Sequence, residues 1–172
     1  PADDDSYGKR VAGGENAAME GSYVFYHPRT DYYYFMISFG TLDADGGYNI
    51  RVARSKNPDG PFIDPAGDDL VNARPSIGED HNKYGARLIG NFWFKKSEIG
   101  YLSPGHNSAL YDKELDKSFV FMHSRFPGNG EMHLVRVHQV LINEQGWPLI
   151  MPHSYNGETQ AESYSREEIT GN

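Results

Sequence analysis

The 172-residue chain predicts an all-β fold assembled from repeated four-stranded units. Three observations point there: a composition rich in ring side chains and chain-reversing residues, hairpin-like alternation, and an internal repeat. The chain holds 12 Tyr, 9 Phe and 2 Trp, and 19 Gly and 10 Pro punctuate it. Aromatic residues suit the pleated, half-buried surface of a sheet, while Gly and Pro mark its turns.

Residues 21–26 alternate and are followed, after the turn-like His27-Pro28-Arg29-Thr30-Asp31, by a β-rich run from Tyr32 to Phe39. This is the pattern of a hairpin. Sliding the chain 86 positions along itself sets Ser22 on Ser108, Val24 on Leu110, Phe25 on Tyr111, Phe35 on Phe121, Met36 on Met122 and Ser38 on Ser124. The relation extends upstream, where Tyr7-Gly8-Lys9-Arg10-Val11 is similar to Tyr84-Gly85-Ala86-Arg87-Leu88. Downstream, each copy continues into a third strand, Tyr48 to Ser55 and Met132 to Ile142, and closes on Gly60-Pro61-Phe62-Ile63 or on Gly146-Trp147-Pro148-Leu149-Ile150.

Four strands per copy is the content of one β-propeller blade, and fixed-period repeats of this kind stack side by side. Two blades cannot close a ring, and alone they leave strand edges and apolar faces in water. Further blades are therefore expected from sequence outside this chain or from a second chain, and the isolated fragment is expected to be inactive. Residues 1–6 contain no Met and no apolar leader, in keeping with a piece of something longer. Residues 1–152 are assigned to the blades and 153–172 to a linker and the opening of another domain.

The formal net charge of −8 argues against nucleic acid or an anionic membrane surface as partner, because both call for basic clusters. No stretch approaches the roughly 18 apolar residues of a membrane span. With no Cys, disulfides and thiolate chemistry are excluded. Tyr-rich sheets either stack on sugar faces or simply pack, and composition leaves both readings open.

The 86-residue offset places Glu20 on His106, each at the head of its copy's first strand. Innermost propeller strands begin at one mouth of the channel, so a carboxyl and an imidazole would converge there. Taken singly, each also has a structural reading, as an exposed strand-start carboxylate or a hydrogen-bonded histidine. Asp43 and Asp45, in Asp43-Ala44-Asp45-Gly46-Gly47, read as turn chemistry rather than as a catalytic pair. His123 and His138 fall within expected strands as satisfied structural groups, whereas His27, His81 and His153 fall in turns or loops. Tyr48, Trp93 and Phe94 could stack on a sugar, but packing is the preferred reading for each. Paired-histidine spacing of the H-E-x-x-H kind is absent, which argues against a zinc hydrolase.

Together, Met19-Glu20-Gly21-Ser22-Tyr23, residues 46–55 with Gly60-Pro61-Phe62, Ser103-Pro104-Gly105-His106-Asn107-Ser108, Arg136-Val137-His138-Gln139 and Gly146-Trp147-Pro148 resemble the arabinanases of glycoside hydrolase family 43. The resemblance covers nearly the whole chain in order. It implies a five-bladed β-propeller of which this chain supplies about the last two blades, followed by a C-terminal β-barrel domain that begins in 153–172. It implies a secreted, inverting hydrolase of α-1,5-linked arabinan with three carboxyl groups. Of these only the general acid has a matching position here, Glu20; the base and the pKa-tuning Asp belong to earlier blades. It also implies that His106 helps hold one calcium ion ligated mostly by water, a reading no spacing in this sequence supplies. Exo-arabinanase, arabinofuranosidase and β-xylosidase activities share the family, and a non-catalytic carbohydrate-binding propeller is the alternative outside catalysis.

Overall fold

Tyr32–Phe39 is apolar at nearly every position because both of its faces are covered. Tyr34 and Met36 point into one core, with Phe25, Ile50, Val52, Tyr101, Ala109, Val120, Met122 and Val140. Phe35, Ile37 and Phe39 point into another, closed by Ala53, Phe62, Leu70 and Ala73. The period of two along a strand sorts one continuous run into two cores.

The computed structural model describes residues 8–14, 16–76, 83–94 and 99–157. Among these residues, nine strands form two antiparallel sheets. The first is ordered β1 (Met19–His27), β2 (Tyr32–Phe39), β3 (Asn49–Ser55), β4 (Ala86–Ile89). The second is ordered β5 (Phe92–Phe94), β6 (Ile99–Asp112), β7 (Lys117–Arg125), β8 (His133–Ile142), β9 (Pro148–Ile150). A 3-10 turn, Leu70–Asn72, is capped by the Asp69 side chain, which accepts from the Val71 amide. The expected hairpins and third strands are present, and the fold is all-β.

The fourth strand of the first sheet differs from expectation. Residues 60–63 form no strand; Ile63 bridges Arg54 and Asp69 singly, and β4 takes the remaining outer edge of β3, against Ile50 to Val52. Residues 8–11, expected to copy β4, form no strand, and Tyr7 lies outside the described residues. Pro148–Ile150 closes the second sheet as expected.

Strand pairing also corrects the repeat. His27 pairs with Tyr32 and Asp112 with Lys117, so equivalent turn residues are 85 apart, one fewer than the side-chain similarity suggests. The turns agree in detail at this spacing. The Tyr26 hydroxyl donates to Asp31 and the Tyr111 hydroxyl to Asp116, and both aspartates adopt left-handed backbone, at φ 54° and 52°. An 85-residue offset sets Phe35 and Ile37 on Val120 and Met122. The first sheet therefore offers Tyr34 and Met36 to the opposite face of its neighbour, the front-to-back packing of stacked blades. An offset of 86 would pair like faces, since a one-residue slip turns a strand over.

Arg54 joins the sheets at their outer side. Its guanidinium lies 4.0 Å from the Trp147 ring centroid and 4.4 Å from that of Tyr32, and it donates to the Gln145 and Gly146 carbonyls at 2.6 and 2.8 Å. The Tyr34 hydroxyl donates to the same Gly146 carbonyl at 2.7 Å. Apolar residues remain exposed on β1 (Tyr23, Val24, Tyr26) and β8 (Leu134, Val135). Trp93 and Phe94, expected to pack, are 52% and 63% exposed, and Phe92 turns to the core instead.

Removing the Tyr34 hydroxyl leaves the Gly146 carbonyl without that donor. Tyr34→Phe in the complete protein should lower unfolding free energy by about 1 kcal/mol, read from the denaturant midpoint.

Candidate active site

Glu20 is the second residue of β1 and pairs with Ser38 of β2. Beyond it the register slips, so that Gly21 and Ser22 stand opposite Ile37 alone before Tyr23 meets Met36. This is a β-bulge, a device that breaks the ladder locally and re-aims side chains. Gly21 takes φ 61°, and a Cβ there would lie 3.0 Å from His106 Cα, so the position calls for glycine twice over.

The second sheet bulges at the corresponding place. Gly105 pairs with His123, and His106 and Asn107 stand opposite Met122 before Ser108 meets Phe121. His106 has φ 50° and is the counterpart of Gly21, not of Glu20; Glu20 corresponds to Gly105. Nor is His106 at the head of a strand, because β6 begins at Ile99. The two bulges nonetheless lie against each other across the sheets, with His106 packed on Gly21, the residue that follows Glu20.

Tyr48, immediately before β3, is fully buried and donates its hydroxyl to Glu20 Oε1 at 2.8 Å. Its ring lies over Gly105, where any Cβ would overlap it, and stacks on His123 with centroids 5.9 Å apart and planes at 14°. The packing reading of Tyr48 holds, with a polar contact that sequence reasoning missed. Ser38, also fully buried, accepts from the His106 amide at 2.8 Å and hydrogen-bonds the Tyr48 oxygen. Burial, and then the Glu20 carboxylate on its hydroxyl, hold the Tyr48 phenol above its ordinary range. Tyr48 thus stays a neutral donor to the Glu20 carboxyl near neutral pH.

His123 is not the satisfied structural group expected. Its Nδ1 is buried with no hydrogen-bond partner among the described residues, and its ring lies 6.3 Å from His106 and 4.9 Å from His133. Burial, with His133, His106 and Arg125 nearby, pushes its pKa down to about 4. His138 does meet expectation. Nδ1 donates to the Met151 carbonyl at 2.6 Å and Nε2 accepts from the Tyr101 hydroxyl at 2.8 Å, which fixes a neutral tautomer. His27 is buried at the end of β1 rather than in a turn. His81 lies outside the described residues, and His153 follows β9 in irregular backbone.

The Asp43-to-Gly47 turn borders this site and ties the sheets together. Ser103 Oγ donates to the Asp43 carbonyl at 2.6 Å, and the Ala44 amide donates to Glu131, whose carboxylate takes the Arg125 Nε at 2.7 Å. Asp43 acts here through its main chain, in agreement with turn chemistry.

The donor set bears on the implied metal. The described residues contain no cluster of three His, Cys, Asp or Glu that could hold an ion, and the His106 side chain is exposed. One exposed imidazole is not a calcium cage. It suits only an ion whose shell is mostly water, the arrangement the resemblance implies.

A family model described as glycosyl hydrolases family 43 matches residues 4–148. The chain belongs to that family. An extracellular endo-α-(1→5)-L-arabinanase of Thermotoga petrophila is 51% identical over 177 residues, covering 99% of this chain and 37% of that protein. A second enzyme of that description, from Bacillus subtilis, is 47% identical over 179 residues, covering 99% and 38%. The crystal structure of the Thermotoga petrophila RKU-1 endo-1,5-α-L-arabinanase superposes with a TM-score of 0.88 at 50% identity, over 98% of this chain and 38% of that one. The fold is thus that of the five-bladed arabinanase propeller, and the chain spans little more than a third of the length of these family 43 relatives.

Within this family 43 chain, Ser38, Tyr48, His123 and His133 lie beside Glu20 and His106 where the two sheets meet. The 85-residue offset relates Ser38 to His123 and Tyr48 to His133, so the second sheet repeats the polar positions of the first with histidines.

The depressed pKa of His123 has a consequence for stability. Above the unfolded value of about 6.5 neither state is charged; below it the unfolded chain takes up a proton that the folded site refuses until about pH 4. Stability should therefore fall as pH drops from about 6.5 towards 4. In the complete protein, His123→Gln should flatten that part of a melting-temperature profile relative to the parent.

Proposed function

We propose that the protein carrying this chain is an extracellular endo-acting hydrolase of α-1,5-linked L-arabinan, with Glu20 as its general acid. The observation that carries this reading is a carboxyl group exposed where two blades meet, one oxygen fixed by a buried tyrosine. Relatives at 51% and 47% identity named extracellular endo-α-(1→5)-L-arabinanases support the substrate, the endo mode and the location.

The chemistry requires an acid because a sugar alkoxide is a poor leaving group and needs a proton as the glycosidic bond breaks. In an inverting site a second carboxylate stands roughly 6.5–9.5 Å away and activates water on the opposite face. That base and the tuning Asp belong to the other blades, as does the desolvation that a general acid near neutral pH needs. The exposed apolar positions on β1 and β8 are where those blades, from further sequence or a second chain, would pack. The reading of 153–172 as a linker and the start of a β-barrel domain falls largely outside the described residues, and we retain it as part of the proposal.

Glu20→Ala in the complete enzyme should cost roughly 10²–10⁴-fold in turnover on arabinan. An aryl arabinoside with an acidic phenol leaves with little protonation, so the same variant should lose distinctly less on it. Equal losses on both substrates would remove Glu20 from the acid role.

His106 would hold the mostly water-ligated calcium, which would supply positive charge at the site. His106→Ala should lower both activity and the calcium-dependent part of thermal stability, because a ligand bound only to the native state stabilises it by mass action. Should chelator depress the melting temperature of parent and variant equally, His106 is not a ligand.

A further inference from the structure

The hydrogen bonds around Glu20 form one directed chain. It begins at the His106 main-chain amide, which can only donate, and which gives its hydrogen to Ser38 Oγ at 2.8 Å. Ser38 is fully buried, and its hydroxyl bears on the Tyr48 oxygen in the sense of a donor, favouring negative charge there. Tyr48, having accepted from Ser38, turns its hydrogen to Glu20 Oε1 at 2.8 Å. The carboxylate left after proton transfer fits the same direction, since an ionised carboxylate accepts and never donates.

Resting on the reading of Glu20 as the general acid, we infer that this chain reserves Oε1 as an acceptor and so assigns the transferable proton of Glu20 to Oε2. Tyr48 and Ser38 are thereby positioning residues for the acid. In the forward step the Oε2–H bond breaks as its proton passes to the glycosidic oxygen, the C–O bond electrons go to that oxygen, and water adds to the anomeric carbon with its proton leaving to the base. The carboxylate left behind has lost its proton while the Tyr48 hydrogen bond on Oε1 remains. That bond strengthens as negative charge develops, so it lowers the barrier more than it favours the ground state.

The fold supports this role independently of the hydrogen bonds. Tyr48 cannot swing away, because Gly105 lies against one part of its ring and His123 is stacked on another. Gly105 is the counterpart of Glu20 in the second sheet. That blade gives up a side chain at the position where the first carries its acid, and the space holds the tyrosine that orients the acid.

The test uses the complete enzyme with linear arabinan and an aryl arabinoside of acidic phenol, each as parent, Tyr48→Phe, Ser38→Ala and Glu20→Ala. Tyr48→Phe is expected to lower kcat on arabinan roughly tenfold with KM changed less than about twofold, and to lose less than about threefold on the aryl substrate. Ser38→Ala should show the same split, smaller. Equal losses of kcat on both substrates, or a rise in KM with kcat unchanged, would overturn the assignment. Should Tyr48→Phe fail to fold, as judged by its melting transition, the split in Ser38→Ala decides the question by the same criterion. Glu20→Ala separates the two levels. If it shows no leaving-group split, the acid reading itself fails; if it does and the positioning variants do not, only the present inference is lost.

Discussion

Tyr48 is fully buried where the two sheets meet, and its ring lies against a main-chain position that admits no side chain. Much of the site follows from that contact. Gly105 must be glycine for the ring to fit, the bulge beyond it then swings His106 into left-handed backbone, and the His106 amide is thereby aimed at Ser38. The hydroxyl of the same tyrosine fixes one oxygen of Glu20.

Front-to-back stacking explains why the two sheets are repeats without being copies. The first uses its Tyr34 and Met36 face against the Val120 and Met122 face of the second, so equivalent residues in the two blades meet different surroundings. Ser38 and Tyr48 of the first blade are answered by His123 and His133 in the second. The result is a carboxyl group with a neutral hydroxyl partner beside a group of imidazoles. His123, kept uncharged by burial, places no cation next to the Tyr48 ring near neutral pH.

Polar links reinforce this interface at both of its ends. On the outer side Arg54 stacks between Tyr32 and Trp147 while reaching two carbonyls of the turn before β9. Near the site Arg125, Glu131 and Ser103 hold the Asp43 turn. Arg125 has a side chain only 7% exposed, so its Glu131 contact is partly shielded from the screening that weakens surface ion pairs.

The sequence by itself determined the all-β class, the two hairpins, the third strands, and the family resemblance that singled out Glu20 and His106. These rest on local alternation, turn residues and short ordered motifs, all written into neighbouring positions. The register of the repeat was not available from sequence, because side-chain similarity peaked at 86 while strand pairing runs at 85 on both sides of each bulge. That one residue decides which face of each strand is which, and hence that His106 answers Gly21 while Glu20 answers Gly105. Tyr48, Ser38 and His123 were equally hidden. Tyr48 meets Glu20, 28 positions away, through strand pairing within the first sheet, whereas Ser38 meets the His106 amide and Tyr48 meets His123, 68 and 75 positions away, through the stacking of one sheet on the next.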